Sequence, residues 1–177
     1  MVLYHFSEEP MIARFVPREM ATRPGERARV WAIDAAHAPI YFLPRDCPRV
    51  CFWALPTTTP EDRQRFLGQT AARMVIAIEG AWLDRVRATQ LYRYELPEAT
   101  FVEDEAEQKG PGYYVSYAPV VPLSVEPVGD LLACLMDAGV GLRLTPALWR
   151  LYHALIPATL HFSMIRMRNA KPEDESA

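Results

Sequence analysis

The sequence has few of the residues that common phosphate and metal sites require. It has eight glycines in 177 residues and contains neither G-x-G-x-x-G nor G-x-x-x-x-G-K-[ST], so no backbone cradle for phosphate of the Rossmann or P-loop type is expected. H-E-x-x-H and G-x-S-x-G are missing too, which excludes the usual zincin and hydrolase sites. The four histidines include no pair spaced i, i+4, so no helix-borne metal site is predicted.

The chain also lacks features of secreted and membrane proteins. Its three cysteines, Cys47, Cys51 and Cys134, form no C-x-x-C pair and indicate neither a disulfide framework nor a four-ligand zinc site. No uninterrupted apolar run approaches the ~20 residues that a bilayer needs. Met1–Phe6 leads into Ser7 and two glutamates without a basic region, so no secretory signal is expected. These absences predict a cytoplasmic protein with no membrane partner.

Charge of one sign is not in excess. The 19 basic and 22 acidic residues give a net charge of -3, so no bulk positive field attracts nucleic acid and any anion site must be local. Only Lys109 and Lys171 are lysines. The planar fork of the remaining arginines suits carboxylate and phosphate, although genome composition explains the same bias.

Short strand-like segments, separated by many of the 16 prolines, predict an α+β fold with twisted, mostly antiparallel sheets and short flanking helices. We expect a single domain over residues 1–170 and a disordered tail over 171–177. The predicted strands are Val2–Phe6, Val30–Ile33, Val50–Leu55, Met74–Ile78, Leu91–Leu96, Tyr113–Tyr117 and Val140–Leu144, with 159–168 favouring strand over helix.

Helices carry clear end signals. Thr59 before Pro60 is typical of a helix N-terminus, and Gly68 of its end. A second helix is predicted around Trp82–Val86, a third on the apolar stripe Val128–Met136, and a fourth from Thr145. The acidic run 103–112 is predicted to be a solvated loop rather than a metal site.

The residues that could bind a ligand concentrate near the amino terminus. His5 and Ser7 lie two residues apart on one side of a predicted strand, where an imidazole and a hydroxyl can hold adjacent sugar or phosphate oxygens. Arg18, Arg45 and Arg49 each lie beside a proline, which reduces the entropy lost when a guanidinium binds an anion. The alternative is that His5 is a core histidine and the arginines brace turns.

Several of these segments resemble a bacterial family of unknown function. They are Leu3-Tyr4-His5-Phe6-Ser7, Phe15-Val16-Pro17-Arg18, Val30-Trp31-Ala32-Ile33-Asp34, Pro44-Arg45-Asp46-Cys47-Pro48-Arg49, Leu91-Tyr92-Arg93-Tyr94 and Glu126-Pro127-Val128-Gly129-Asp130. More distantly, the layout is similar to the ADP-ribosyltransferase fold, whose first strand carries H-x-T or H-x-S. The resemblance implies that His5 and Ser7 bind the ribose side of NAD, that Tyr41 stacks on nicotinamide, and that NAD is the cofactor.

The third motif departs from this pattern. Tyr113 precedes Tyr-Val where those enzymes carry a catalytic glutamate, and a neutral phenol stabilises developing positive charge poorly. Glu95 and Glu126 are alternative carboxylates. The sequence therefore predicts a nucleotide or phosphorylated-ribose pocket formed by His5, Ser7, Arg18, Tyr41, Arg45 and Arg49, either in a divergent ADP-ribosyl- or phosphotransferase or in a non-catalytic ligand sensor or interaction module.

Overall fold

The computed structural model describes residues 1–19, 25–104 and 112–173. Ten strands run through these residues: β1 (Leu3–Ser7), β2 (Val30–Asp34), β3 (Arg49–Trp53), β4 (Met74–Glu79), β5 (Tyr92–Leu96), β6 (Val102–Glu103), β7 (Tyr113–Ser116), β8 (Ser124–Pro127), β9 (Val140–Thr145) and β10 (His161–Ile165). The α-helices there are α1 (Pro60–Asp62), α2 (Leu83–Ala88), α3 (Leu131–Asp137) and α4 (Trp149–Leu155). The prediction of α+β architecture is confirmed.

The described chain divides into two compact units, each with its own sheet. The first unit comprises Met1–Phe42 and Gln90–Gly129. The second comprises Leu43–Thr89 and the described residues from Asp130 onward. That residues 1–170 form a single domain stays a prediction.

The first unit is built on a six-stranded sheet of order β6-β7-β2-β1-β5-β8, with antiparallel neighbours throughout. Successive side chains of a strand point to opposite faces, and one face is buried as an apolar core. That core contains Leu3, Phe15, Val30, Ala32, Tyr94, Leu96, Phe101 and Val120. The opposite face of the central strands carries the aromatic residues of the candidate site, whereas His5, directly opposite the core residue Tyr94, projects to the core face.

The second unit has a four-stranded sheet of order β10-β3-β4-β9, in which β4 and β9 are parallel and the other pairs antiparallel. Its four helices lie in this unit. Every residue of β3 and β4 is buried, as predicted from strands that are apolar on both faces. The predicted strand in 159–168 is confirmed by β10, which covers His161–Ile165.

Two predicted helix starts and one predicted loop residue differ from the structure. Val128 does not start α3, because its N–H donates to Leu91 O at 2.8 Å and extends the β5–β8 ladder. Thr145 ends β9 rather than beginning α4. Asp104, expected in a solvated loop, is 7% exposed and lies 3.8 Å from the Arg29 guanidinium; residues 105–111 of that run lie outside the described part.

Lys171, the first residue of the predicted disordered tail, is held by two hydrogen bonds. Lys171 N donates to Glu79 Oε1 at 2.9 Å, and its carbonyl accepts from Trp149 Nε1 at 2.7 Å. Residues 174–177 lie outside the described part. In the described chain, none of the helices combines the length and apolarity needed to cross a bilayer.

Candidate functional site

An aromatic pocket of about 80 Å³ lies in the first unit. Its lining residues are Tyr4, His5, Phe6, Trp31, Ala32, Ile33, Tyr41 and Tyr113. Pockets that enclose a whole drug-sized ligand measure roughly 300–1,000 Å³. This pocket can therefore enclose one group of a ligand, with the remainder outside.

Sheet register brings the aromatic rings together. Tyr4 on β1 lies opposite Ile33 on β2, which in turn lies opposite Tyr113 on β7. Directly opposed residues project to the same face, and so do residues two apart on one strand, which adds Phe6 and Trp31 to this face. The Trp31 and Tyr113 rings are perpendicular, with centroids 6.4 Å apart.

His5 lies where β1 and β2 separate. Their ladder has two pairs, Leu3–Asp34 and Tyr4–Ile33, although both strands continue. Beyond it, His5 Nδ1 lies 2.9 Å from Trp31 O. Because a carbonyl only accepts, Nδ1 must donate, which fixes the orientation of the imidazole. The ring also packs on Phe15, with centroids 4.6 Å apart.

Tyr41 is carried by a short 3-10 helix, Ala38–Tyr41, that follows β2. Pro39 lies at the second position of this helix, and Ile40 anchors it in the interior. The Tyr41 ring is nearly parallel to that of Phe6, with an interplanar angle of 8° and centroids 6.4 Å apart. The helix thus brings a ring from outside the sheet to the pocket.

An aspartate–histidine pair holds the loop between β2 and Tyr41. Asp34 Oδ1 accepts from the backbone N–H of His37 and lies 2.8 Å from its Nδ1. Burial raises the pKa of the Asp34 carboxyl, but the hydrogen bonds and charge of His37 outweigh it and hold this pKa below 3.8. The Gly112 backbone lies against the pair, since a Cβ there would be 2.3 Å from His37 Nδ1.

The other predicted residues of the first unit lie away from the pocket lining. Ser7 is 3% exposed and its Oγ accepts from Glu9 N at 3.1 Å, which turns the chain at the end of β1. Arg18 is exposed and forms an isolated backbone bridge to Arg29. Of the predicted site residues, His5 and Tyr41 are thus the two that line the same pocket.

Arg45 and Arg49 belong to the second unit. Arg45 is exposed, and its carbonyl accepts from Arg166 Nε at 3.2 Å. Arg49 is 2% exposed, and its Nη1 donates to the carbonyls of Pro44 and Cys47 at 3.1 and 3.0 Å. Arg49 therefore braces the turn before β3.

Sequence reasoning missed Trp31 and Tyr113 as pocket residues and Arg29 and Arg93 beside it. The guanidinium carbon of Arg29 lies 5.5 Å from the Trp31 ring centroid, and that of Arg93 lies 5.1 Å from the Tyr4 centroid. Strand alternation could have put these residues on the aromatic face, but their proximity depends on strand register.

Two of the three cysteines, Cys47 and Cys51, are buried. Burial raises the pKa of Cys47 and of Cys51 to about 12, so both are neutral thiols and poor nucleophiles at neutral pH. Within the ranges described above, no group of three or more His, Cys, Asp or Glu side chains is arranged to hold a metal ion.

Fold and site together define an α+β protein with an aromatic pocket on an antiparallel sheet. The chain belongs to the family of unknown function DUF6886, whose sequence profile matches residues 4–170. No curated protein and no solved structure matches it. The resemblance to a family of unknown function is confirmed; a bacterial origin and the likeness to the ADP-ribosyltransferase fold stay predictions.

Proposed function

We propose that the first unit binds a nucleotide or phosphorylated ribose, with a planar ring of the ligand in the aromatic pocket. The observation that carries this proposal is that His5 and Tyr41, assigned to one site from separate sequence segments, both line this pocket. The predicted contributions of Ser7, Arg18, Arg45 and Arg49 stay predictions.

The pocket walls suit a flat, unsaturated ring. Aromatic side chains can stack on any of the nucleic-acid bases, because every base has a π face. The faces of Phe6 and Tyr41 are nearly parallel, and Trp31 and Tyr113 meet at a right angle. Trp31 Nε1 is buried and makes no hydrogen bond to the described residues; a ligand acceptor that reaches this atom would satisfy a donor that is otherwise costly to bury.

The volume of the pocket and the position of His5 suggest how the rest of the ligand lies. One ring fills the enclosed space, so the sugar must lie at the opening. His5 is held by the Trp31 carbonyl at the separation of β1 and β2, and a fixed imidazole recognises a hydroxyl at lower entropic cost than a mobile one.

Tyr113 favours a protein that binds the ligand without catalysing group transfer. Tyr113 is 4% exposed and lines the pocket, at the position where the resembled enzymes carry glutamate. A phenol contributes no negative charge at neutral pH. We therefore propose a ligand sensor, with a divergent ADP-ribosyl- or phosphotransferase as the alternative.

Isothermal titration with NAD, ADP-ribose and AMP tests the proposal. At least one of them should bind the wild type, and Tyr41→Leu should weaken that binding roughly tenfold or more through lost stacking. Tyr152→Leu, a half-buried tyrosine of α4 in the second unit, is the matched control and should bind normally. Absence of binding for all three ligands, or equal affinity of both variants, would overturn the proposal.

Transfer is tested separately. Wild-type protein incubated with nicotinamide-labelled NAD should release no more nicotinamide than buffer does. Enzyme-dependent release, abolished in His5→Ala, would favour the transferase alternative over the sensor.

A further inference from the structure

We propose that Arg93 binds the phosphate of the ligand, so that this site selects phosphorylated over unphosphorylated molecules. This inference rests on the proposed function. It assigns the binding of the ligand's phosphate to Arg93 rather than to Arg18, Arg45 or Arg49, the arginines that the sequence analysis named.

Arg93 lies beside the aromatic pocket. It is directly opposite Phe6 in the β1–β5 ladder and therefore projects to the same face. Its guanidinium carbon lies 5.1 Å from the ring centroid of Tyr4. Phe6 and Tyr4 both line the pocket, so Arg93 flanks two of its walls.

Contact with the Tyr4 ring restricts the orientation of the Arg93 guanidinium. The N–H groups of a guanidinium lie in its own plane, and when its face contacts an aromatic ring they stay available for two parallel hydrogen bonds to phosphate oxygens. Less side-chain freedom is then lost on binding than for a mobile surface arginine.

Exposure distinguishes Arg93 from Arg29, whose guanidinium also lies near an aromatic ring of the pocket. Arg29 stacks on Trp31, but its side chain is 8% exposed and lies 2.8 Å from Glu26 and 3.8 Å from Asp104. Two carboxylates therefore already neutralise Arg29. The side chain of Arg93 is 41% exposed and accessible to a ligand in solvent.

The carboxylate partner of Arg93 is replaceable. Glu126 Oε2 lies 2.8 Å from Arg93 Nη2, and the Glu126 side chain is 60% exposed. Solvent screens such a pair, so it contributes little to folding. A phosphate carries more charge and more acceptor oxygens than a carboxylate, so it can replace Glu126 on the guanidinium.

The test compares matched ligands that differ only by phosphate. AMP against adenosine and ribose 5-phosphate against ribose are titrated into the wild type, Arg93→Ala, Glu126→Gln and Arg87→Ala. Arg87 is the control because it is an exposed arginine paired with Asp84 in the second unit. Circular dichroism and melting curves establish that each variant is folded.

We expect the wild type to bind at least one phosphorylated ligand roughly tenfold or more tightly than its partner without phosphate, as charge-assisted hydrogen bonds imply. Arg93→Ala should reduce this ratio to near one, and Arg87→Ala should leave it unchanged. Glu126→Gln should raise it, because the competing carboxylate loses its charge.

Each other outcome has a definite meaning. A ratio near one in the wild type, or an unchanged ratio in Arg93→Ala, overturns the role of Arg93 while leaving ligand binding intact. If Arg93→Ala does not fold, an unchanged or lower ratio in Glu126→Gln overturns it instead. Failure of every ligand to bind the wild type overturns the proposed function itself.

Discussion

Two arginines show how surroundings decide what a residue can do. Arg49 is 2% exposed and its guanidinium donates to backbone carbonyls, whereas Arg93 is 41% exposed and stacks on a pocket tyrosine. The buried arginine satisfies polar groups of the fold, and the exposed one can exchange its partner for a ligand. Residue type alone does not separate these roles.

Arg49→Ala should destabilise the protein by about 3 kcal/mol, because it leaves a cavity and removes the group that donates hydrogen bonds to the carbonyls of Pro44 and Cys47. Urea unfolding monitored by circular dichroism measures the change. Arg87→Ala, at an exposed pair, should change stability by less than about 0.5 kcal/mol. Equal effects of the two substitutions would contradict the bracing role of Arg49.

The Asp34–His37 pair makes stability depend on pH. Its hydrogen bonds hold the folded-state pKa of Asp34 below 3.8, although burial opposes them. A lowered pKa contributes stability that is present above the unfolded value and lost as pH falls through the folded one. The wild type should exceed Asp34→Asn in stability at pH 7, by a margin that shrinks below pH 4.

Urea unfolding of both proteins between pH 7 and pH 2 checks this expectation. A constant stability difference across that range would mean that folding leaves the Asp34 pKa unchanged, and would remove the pair as a source of acid sensitivity.

At this scale the sequence predicts part of the candidate site. Period-two alternation correctly separates Tyr4 and Phe6 from Leu3 and His5, because it depends only on strand geometry. The approach of Tyr113 to Trp31 depends on which strands are neighbours and in what register, and this is decided by packing far along the chain. A local pattern therefore identifies the face but not the pocket.

Helices and strands are predicted better where their end signals are local. Thr59 caps α1 as expected, since its Oγ1 accepts from Asp62 N at 3.2 Å. The sequence does not predict β6 or β8: β6 has two residues, and all four residues of β8 are exposed and the last is proline, so neither shows an apolar period. The apolar stripe Val128–Met136 predicts too early a start for α3, which begins at Leu131, because helical periodicity does not mark where a helix begins.

Asp130 marks that beginning. Its Oδ1 accepts from Leu132 N and Ala133 N at 2.9 and 3.1 Å, which satisfies two free donors of the first turn of α3. Asp130→Ala should therefore cost about 1 kcal/mol of unfolding free energy. Asp137→Ala, at the carboxyl end of the same helix, removes a negative charge from the negative end of the dipole and should be neutral or slightly stabilising.

Thermal melting of the two aspartate variants gives the comparison. A loss of stability in Asp137→Ala as large as that in Asp130→Ala would contradict the capping role, because it would show that any change of charge on α3 has this effect.

On the scale of the whole chain, composition and the prolines between short strand-like segments predict the α+β class and the mostly antiparallel sheets. The strand pairing confirms both. The division into two sheet-bearing units has no signal in the sequence, because both units are assembled from separated segments. Family membership over residues 4–170 brings no activity with it, so the functional account depends on the pocket of the first unit.

The indole N–H resonance of Trp31 tests that account most directly. The chain has four tryptophans, and the spectrum of Trp31→Phe identifies the signal of Trp31 among them. During titration with NAD, ADP-ribose or AMP, we expect a saturable shift of the Trp31 resonance while those of Trp53, Trp82 and Trp149 stay in place. A Trp31 resonance that does not move at any concentration of these ligands would contradict it.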